Sequence, residues 1–230
     1  MKILALDTTA NTSTVGILEN NKLLGIYTVN TNNKHSETLL PMIKNLFEAL
    51  GLSNEDIDAY GVSNGPGSFT GVRIGMATVK GLAFGKGAKC VEVSTIEALA
   101  ENLDGYEGII CPIMNARRGQ VYTGAFLNGE RIINDTCMML EELIPLLEKY
   151  GKPIYFTGDG YSLIEKMDIK GKMETPEPLR YQSAYSVGKL AYKKLLKDSY
   201  TSDTDLRVEY LRKPQAERER EEKLEKENTK

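Results

Sequence analysis

The chain has 230 residues, room for one large domain or two small ones, since domains typically run to about 100–200 residues. Its 29 basic and 32 acidic side chains leave a formal charge of −3, which gives no electrostatic footprint for independent nucleic-acid binding. Three cysteines, Cys90, Cys111 and Cys137, are an odd count in or beside apolar runs, the pattern of buried thiols in a reducing compartment and not of a disulfide framework.

The opening Met1-Lys2-Ile3-Leu4-Ala5-Leu6-Asp7 is too short an apolar run for a signal peptide, and no 18-residue apolar stretch follows. A cytoplasmic chain is expected. Apolar runs at 3–6, 14–18 and 23–29, separated by residues 7–11 and by Asn20-Asn21, predict a three-strand meander with a two-residue hairpin at its second turn. At its first turn, Asp7-Thr8-Thr9 and Asn11-Thr12-Ser13-Thr14 gather a carboxylate and several hydroxyls. Such groups suit a metal-bound nucleotide phosphate, and they make Asx or Ser/Thr turns equally well with no ligand.

His35 is the only histidine, so no two-histidine metal site, zinc cluster or paired-histidine relay can be assembled within one chain. Neither a metal nor a cofactor is expected. His35 precedes Ser36-Glu37-Thr38 at a helix start, where a surface or capping role is expected. Residues 36–50 are apolar at 39, 40, 42, 43, 46, 47, 49 and 50 and stop at Gly51, which predicts a helix. Its apolar sector spans about 180°, wider than one sheet contact requires.

A strand is predicted over 57–63. Next comes Gly65-Pro66-Gly67-Ser68-Phe69-Thr70-Gly71-Val72-Arg73-Ile74-Gly75, a glycine-rich turn that opens a helix over 70–84. A strand, a glycine loop and a helix N-terminus in that order mean phosphate or close backbone packing, because unpaired N–H groups and the positive dipole end attract anions. The run lacks both the Gly-Lys-Ser/Thr ending of a P-loop and the spacing of a dinucleotide loop, and by itself it leaves both readings open. Around the helix, Arg73 and Lys80 fall in one narrow sector and every other position is small or apolar, so it must be covered on two sides. Gly71 and Gly75, and again Gly81 and Gly85, leave strips where another backbone can approach.

A strand over 90–93 and a short helix over 95–103 complete a mixed sheet flanked by helices. From about residue 106 the scheme repeats in reduced form: strands over 108–114, 121–126 and 131–133, a helix over 141–149, a strand over 154–157 and a helix over 183–197. The expected fold class is α/β with two similar halves, 1–105 and 106–214. Residues 215–230 are almost wholly charged and cannot bury enough surface to offset their ordering entropy, so a solvated tail is expected there.

Four segments, Leu6-Asp7-Thr8-Thr9, Lys34-His35-Ser36-Glu37-Thr38-Leu39-Leu40-Pro41, the run from Gly65 to Gly75, and residues 208–217, together resemble the TsaB (YeaZ) family. The resemblance covers residues 1–216. It implies the actin-like fold of sugar kinases, Hsp70 and actin. It also implies a noncatalytic subunit that binds a paralogue, TsaD, and activates it for threonylcarbamoyl transfer to adenosine in tRNA. The small ATPase TsaE is implied as a third partner, with tRNA contacted only through the complex. A histidine pair that binds metal in the paralogue falls, by alignment on Gly65-Pro66-Gly67, at Thr95 and Leu99, and neither can replace an imidazole. Asp7, Thr8, Thr9, Gly65, Gly67 and Ser68 stand as a vestigial phosphate loop. The second half offers only Thr157-Gly158-Asp159-Gly160, a relic of a phosphate loop or a plain turn leading into a helix.

Family members are understood to pair with TsaD through the first two long helices. The residues expected at that interface are Leu39, Met42, Ile43, Phe47, Val72, Arg73, Met76 and Lys80. The same surface is expected to pair with a second copy when TsaD is absent, since exposed apolar patches rarely stay bare. An autonomous ATPase or phosphotransferase using Asp7, Thr8, Thr9 and the 65–75 loop is the alternative, because fold does not fix function. A metalloprotease is a third reading, against which the single histidine counts.

Overall fold

In the computed structural model, which describes residues 1–30 and 34–212, the first apolar runs form β1 (Lys2–Asp7), β2 (Thr12–Glu19) and β3 (Lys22–Asn30). The strands pair antiparallel, and Asn20, at φ 55°, opens the two-residue turn between β2 and β3 in a left-handed conformation that asparagine tolerates. β4 (Ala59–Gly65) joins β1 and β5 (Lys89–Ser94) joins β4, both parallel, so the sheet runs β3-β2-β1-β4-β5. β1 is central and covered on both faces, which is why it reads Ile-Leu-Ala-Leu and does not alternate with polar residues.

Period-two geometry divides β1 between two cores. Leu4 and Leu6 face α1 (His35–Leu50) and α2 (Phe69–Ala83), in a cluster that includes Leu39, Met42, Ile43, Val72, Met76 and Val79. Ile3 and Ala5 face the opposite way, toward α6 (Ala184–Leu195), and pack with Val187, Leu190 and Ala191.

The second half repeats the first. β6 (Ile109–Arg117), β7 (Gln120–Leu127) and β8 (Glu130–Met139) form an antiparallel meander. β9 (Ile154–Thr157) joins β6 and β10 (Lys172–Met173) joins β9, both parallel, so the order β10-β9-β6-β7-β8 mirrors the first sheet strand for strand. α4 (Leu140–Glu148) and α5 (Tyr161–Ile164) cover one face through Leu143, Leu147, Tyr161 and Ile164. α3 (Thr95–Glu101) covers the other through Ile96 and Leu99, packed with Ile110, Met114 and Phe126. It is also tied to α6, where Glu101 Oε1 lies 2.7 Å from Lys189 Nζ.

The predicted elements recur in order, with three differences. β8 is ten residues long where 131–133 was expected, because Asn134, Asp135 and Thr136 interrupt its apolar pattern. α5 and β10 are too short to show a periodicity at all. The division expected at 105/106 follows chain order, whereas in space α6 crosses back onto the first sheet. The charged tail expected over 215–230 lies outside the described residues.

Candidate functional site

β1 delivers Asp7 to the point where the two halves meet. Its carboxylate is sealed from solvent and accepts three hydrogen bonds, from Ser63 Oγ at 2.5 Å and from the Thr9 amide and hydroxyl at 2.7 Å each. Desolvation raises its pKa above the ordinary carboxylate value, and the bonds from Ser63 and Thr9 oppose that rise.

The glycine run lies directly on this turn. Ser68 caps α2 by accepting the Gly71 amide, while its own amide donates to Thr9 O at 2.7 Å and Thr8 Oγ1 donates to Gly71 O at 2.7 Å. A Cβ at Gly67 would stand 2.5 Å from Thr9 O, one at Gly71 2.0 Å from Thr8 O, and one at Gly75 2.7 Å from Thr8 Oγ1. The glycines at 67, 71 and 75 therefore serve close backbone packing.

Above the locked loops lies a cavity of about 500 Å³ between the halves. Its walls include Thr9, Ser68 and Thr70 from the first half, Asn115, Arg117, Tyr122 and Asp159 from the second, and Tyr210 and Arg212 from the C-terminal segment. His35 joins the wall and ties the start of α1 to the first loop, its Nε2 lying 2.7 Å from Ala10 O. Asp159 opens onto the cleft, yet the protein around its carboxyl strips away water and pushes its pKa up to about 6, against opposing main-chain hydrogen bonds. Its loop is also the turn that leads into α5.

An actin-like cleft implies a nucleotide, and the loop amides that would cradle its phosphates are already engaged. The amide of Thr9 bonds Asp7, that of Ser68 bonds Thr9 O, and that of Gly71 bonds Ser68 Oγ. In the second half, the amides of Gly158 and Gly160 bond Arg180 O and Ile113 O. These five donors are engaged within the chain, so they cannot cradle a polyphosphate without rearrangement. Among the described residues no group of three His, Cys, Asp or Glu is placed to hold a metal ion, and no helix is long and apolar enough to cross a membrane.

Of the eight residues expected at a partner interface, Leu39, Met42, Ile43, Val72 and Met76 are core, each 1–4% exposed. That is a correction with a simple cause: the second cover that the wide apolar sectors demand comes from the neighbouring helix and from Leu206 and Val208 of the same chain. Phe47 is half-buried against the same core. Arg73 is exposed, but Nε donates to Tyr210 Oη at 2.8 Å and its guanidinium stands 3.8 Å from the Phe69 ring centre. Lys80 reaches Thr204 O at 3.4 Å. The outward faces of α1 and α2 carry Leu40, Lys44 and Ala77 instead, with Phe84 exposed at the C-cap of α2.

The C-terminal segment, to which the sequence assigned no structural role, binds both halves. Thr201 and Cys90 exchange two main-chain hydrogen bonds, Glu209 N donates to Asn64 O, and Tyr210 stacks on Phe69 with ring centres 5.4 Å apart. Arg212 Nη1 then donates to Ala116 O in the second half at 2.8 Å.

Two repeated halves around a central cleft define an α/β chain of the actin-like fold. An uncharacterized Pseudomonas aeruginosa protein with similarity to peptidase YEAZ superposes with a TM-score of 0.79 at 24% identity, over 92% of this chain and 99% of that one. The Clostridium difficile activator of the 2-hydroxyisocaproyl-CoA dehydratase, solved with bound ADPNP, superposes with a TM-score of 0.53 at 10% identity, over 91% and 100%. Residues 8–218 match the family model described as TsaD: tRNA N6-adenosine threonylcarbamoyltransferase, the domain that TsaB and TsaD share. The tRNA threonylcarbamoyladenosine biosynthesis protein TsaB of Bacillus subtilis is 35% identical over 177 residues, 74% of this chain and 77% of the relative. The chain belongs to the TsaB family.

Proposed function

We propose that the chain is a noncatalytic subunit that binds TsaD and activates it for threonylcarbamoyl transfer to adenosine in tRNA. The observation that carries this reading is the internal bonding of the cleft, whose loop amides are engaged within the chain while Asp7 is sealed beneath them. A catalytic cleft needs preorganised donors aimed at the reacting group, and here they hold two loops together. Kinship with TsaB supplies the pathway, tRNA threonylcarbamoyladenosine biosynthesis.

In this reading the work of the chain is done by its surface. The outward faces of α1 and α2, with Leu40, Lys44 and Ala77, and the C-cap residue Phe84 meet TsaD, and the first half carries the interface. TsaE docks on the pair as a third protein, the complex is cytoplasmic, and the same face pairs two copies when TsaD is absent. Co-purification with TsaD from the same organism tests the reading. Pairing is expected, together with no ATP hydrolysis by the isolated chain. ATP turnover of about one per second or faster by the isolated chain would restore the phosphotransferase alternative.

A further inference from the structure

We propose that the arginine-rich rim of the cleft is a contact surface for an RNA backbone. This rests on the functional reading above and extends it by placing RNA on this chain as well as on its partner.

Arg117 and Arg118 form the tip of the β6–β7 hairpin, at φ 65° and 55°. Left-handed backbone is unfavourable for a residue with a Cβ, and two consecutive arginines adopt it here. The tip is held by the Arg117 amide, which donates to Asn115 Oδ1 at 2.8 Å, and by Arg212 Nη1, which donates to Ala116 O. Both tip side chains are exposed, and neither forms an ion pair among the described residues. Arg212 bonds a carbonyl and Arg73, beside Phe69 and Tyr210, bonds a phenol. Arg117 and Arg212 thus line the opening together with Asp159, Arg118 stands next to Arg117 at the hairpin tip and Arg73 lies against the lining rings Phe69 and Tyr210, and none of the four arginines forms an ion pair among the described residues, on a chain whose formal charge is −3.

Two rings stand with them, Phe69 39% exposed and Tyr210 42% exposed. Guanidinium forks suit phosphate oxygens and exposed rings suit unstacked bases, so arginines interleaved with aromatics match single-stranded RNA. An acidic protein surface would satisfy the arginines but gives no use to the rings. The negative net charge explains why such a contact is weak alone and needs the assembled complex to count.

The test is fluorescence anisotropy of a labelled RNA stem-loop, titrated with the full-length chain alone and with TsaD, across a range of salt. Arg117→Glu with Arg118→Glu should weaken binding about tenfold or more. It should also flatten log Kd against log salt by about 1.4, at roughly 0.7 per single-strand phosphate contact. Lys166→Glu with Lys170→Glu, the same charge change at exposed positions beyond α5, should alter neither quantity. Equal losses in the two double variants, or unchanged RNA binding in the arginine variant, would overturn the proposal. With labelled poly-glutamate titrated in parallel, loss of its binding but not of RNA binding in the arginine variant would overturn the proposal in favour of an acidic protein partner. Failure of the wild-type chain to pair with TsaD would instead strike the functional reading, and the rim would then be decided by the low-salt end of the chain-alone titration, where a weak phosphate contact is strongest.

Discussion

At the scale of single residues, the buried carboxyl of Asp7 is a joint between two loops. In Asp7→Asn the amide Oδ1 still accepts from Thr9, and Nδ2 can donate to Ser63 Oγ, so the joint survives. Modification by the reconstituted system should stay within about tenfold of wild type, roughly 1.4 kcal/mol, and a thousandfold loss with TsaD binding intact would assign Asp7 a chemical role. Asp7→Ala leaves buried donors unpaired and should cost about 1–3 kcal/mol for each, read by urea denaturation. Asp159 sets a different expectation. Its folded pKa of about 6 lies above the ordinary 3.8, so the native state binds more protons between those values and stability falls as pH rises through that window. Urea unfolding between pH 4 and 7 should show this fall in the wild type and a smaller one in Asp159→Asn. Asp7-Thr8-Thr9 and Gly158-Asp159-Gly160 were legible in the sequence because each is a local turn. Arg117, Tyr210 and Arg212 were not, because what brings them together is contact between distant parts of the chain, as in the Arg212 bond to Ala116.

At the scale of elements, α2 has one face pressed on a loop and one face open. Gly71→Ala would place Cβ 2.0 Å from Thr8 O and should destabilise severely. At Gly81 a Cβ meets nothing within 4 Å, so Gly81→Ala should stabilise by about 0.5–1 kcal/mol through helix propensity. Melting curves of the pair separate packing glycines from idle ones. The same contrast holds for charge: Met76→Glu should collapse stability by several kcal/mol, since an unpaired carboxylate would be buried. Phe84→Glu, at a residue 77% exposed, should leave the melting point unchanged and weaken TsaD pairing by gel filtration. Equal pairing by the Phe84 variant would move the interface elsewhere. Periodicity identified which helix positions are apolar but not what covers them, because Leu206 and Val208 arrive from the far end of the chain.

At the scale of the whole molecule, the repeat of a meander in each half was legible from the sequence, since each meander has its own turn signals, whereas the order of the strands in the two sheets was not. The return of α6 to the first sheet was not, because its apolar stripe fits either half equally well. That return has a consequence for synthesis. The back face of the first sheet, with Ile3, Ala5, Ala59 and Val91, waits on the ribosome for residues 184–195, so the N-terminal half emerges first and finishes last. Contacts this distant in sequence make folding slow and leave a bare apolar sheet in the interval. Residues 1–105 expressed alone should therefore aggregate, whereas co-expression with residues 106–230 should recover soluble, associated fragments. A soluble, cooperatively melting 1–105 fragment would show that the first half carries its own cover, and the chain would then be two folding units joined by a helix and not one unit closed by its own far end.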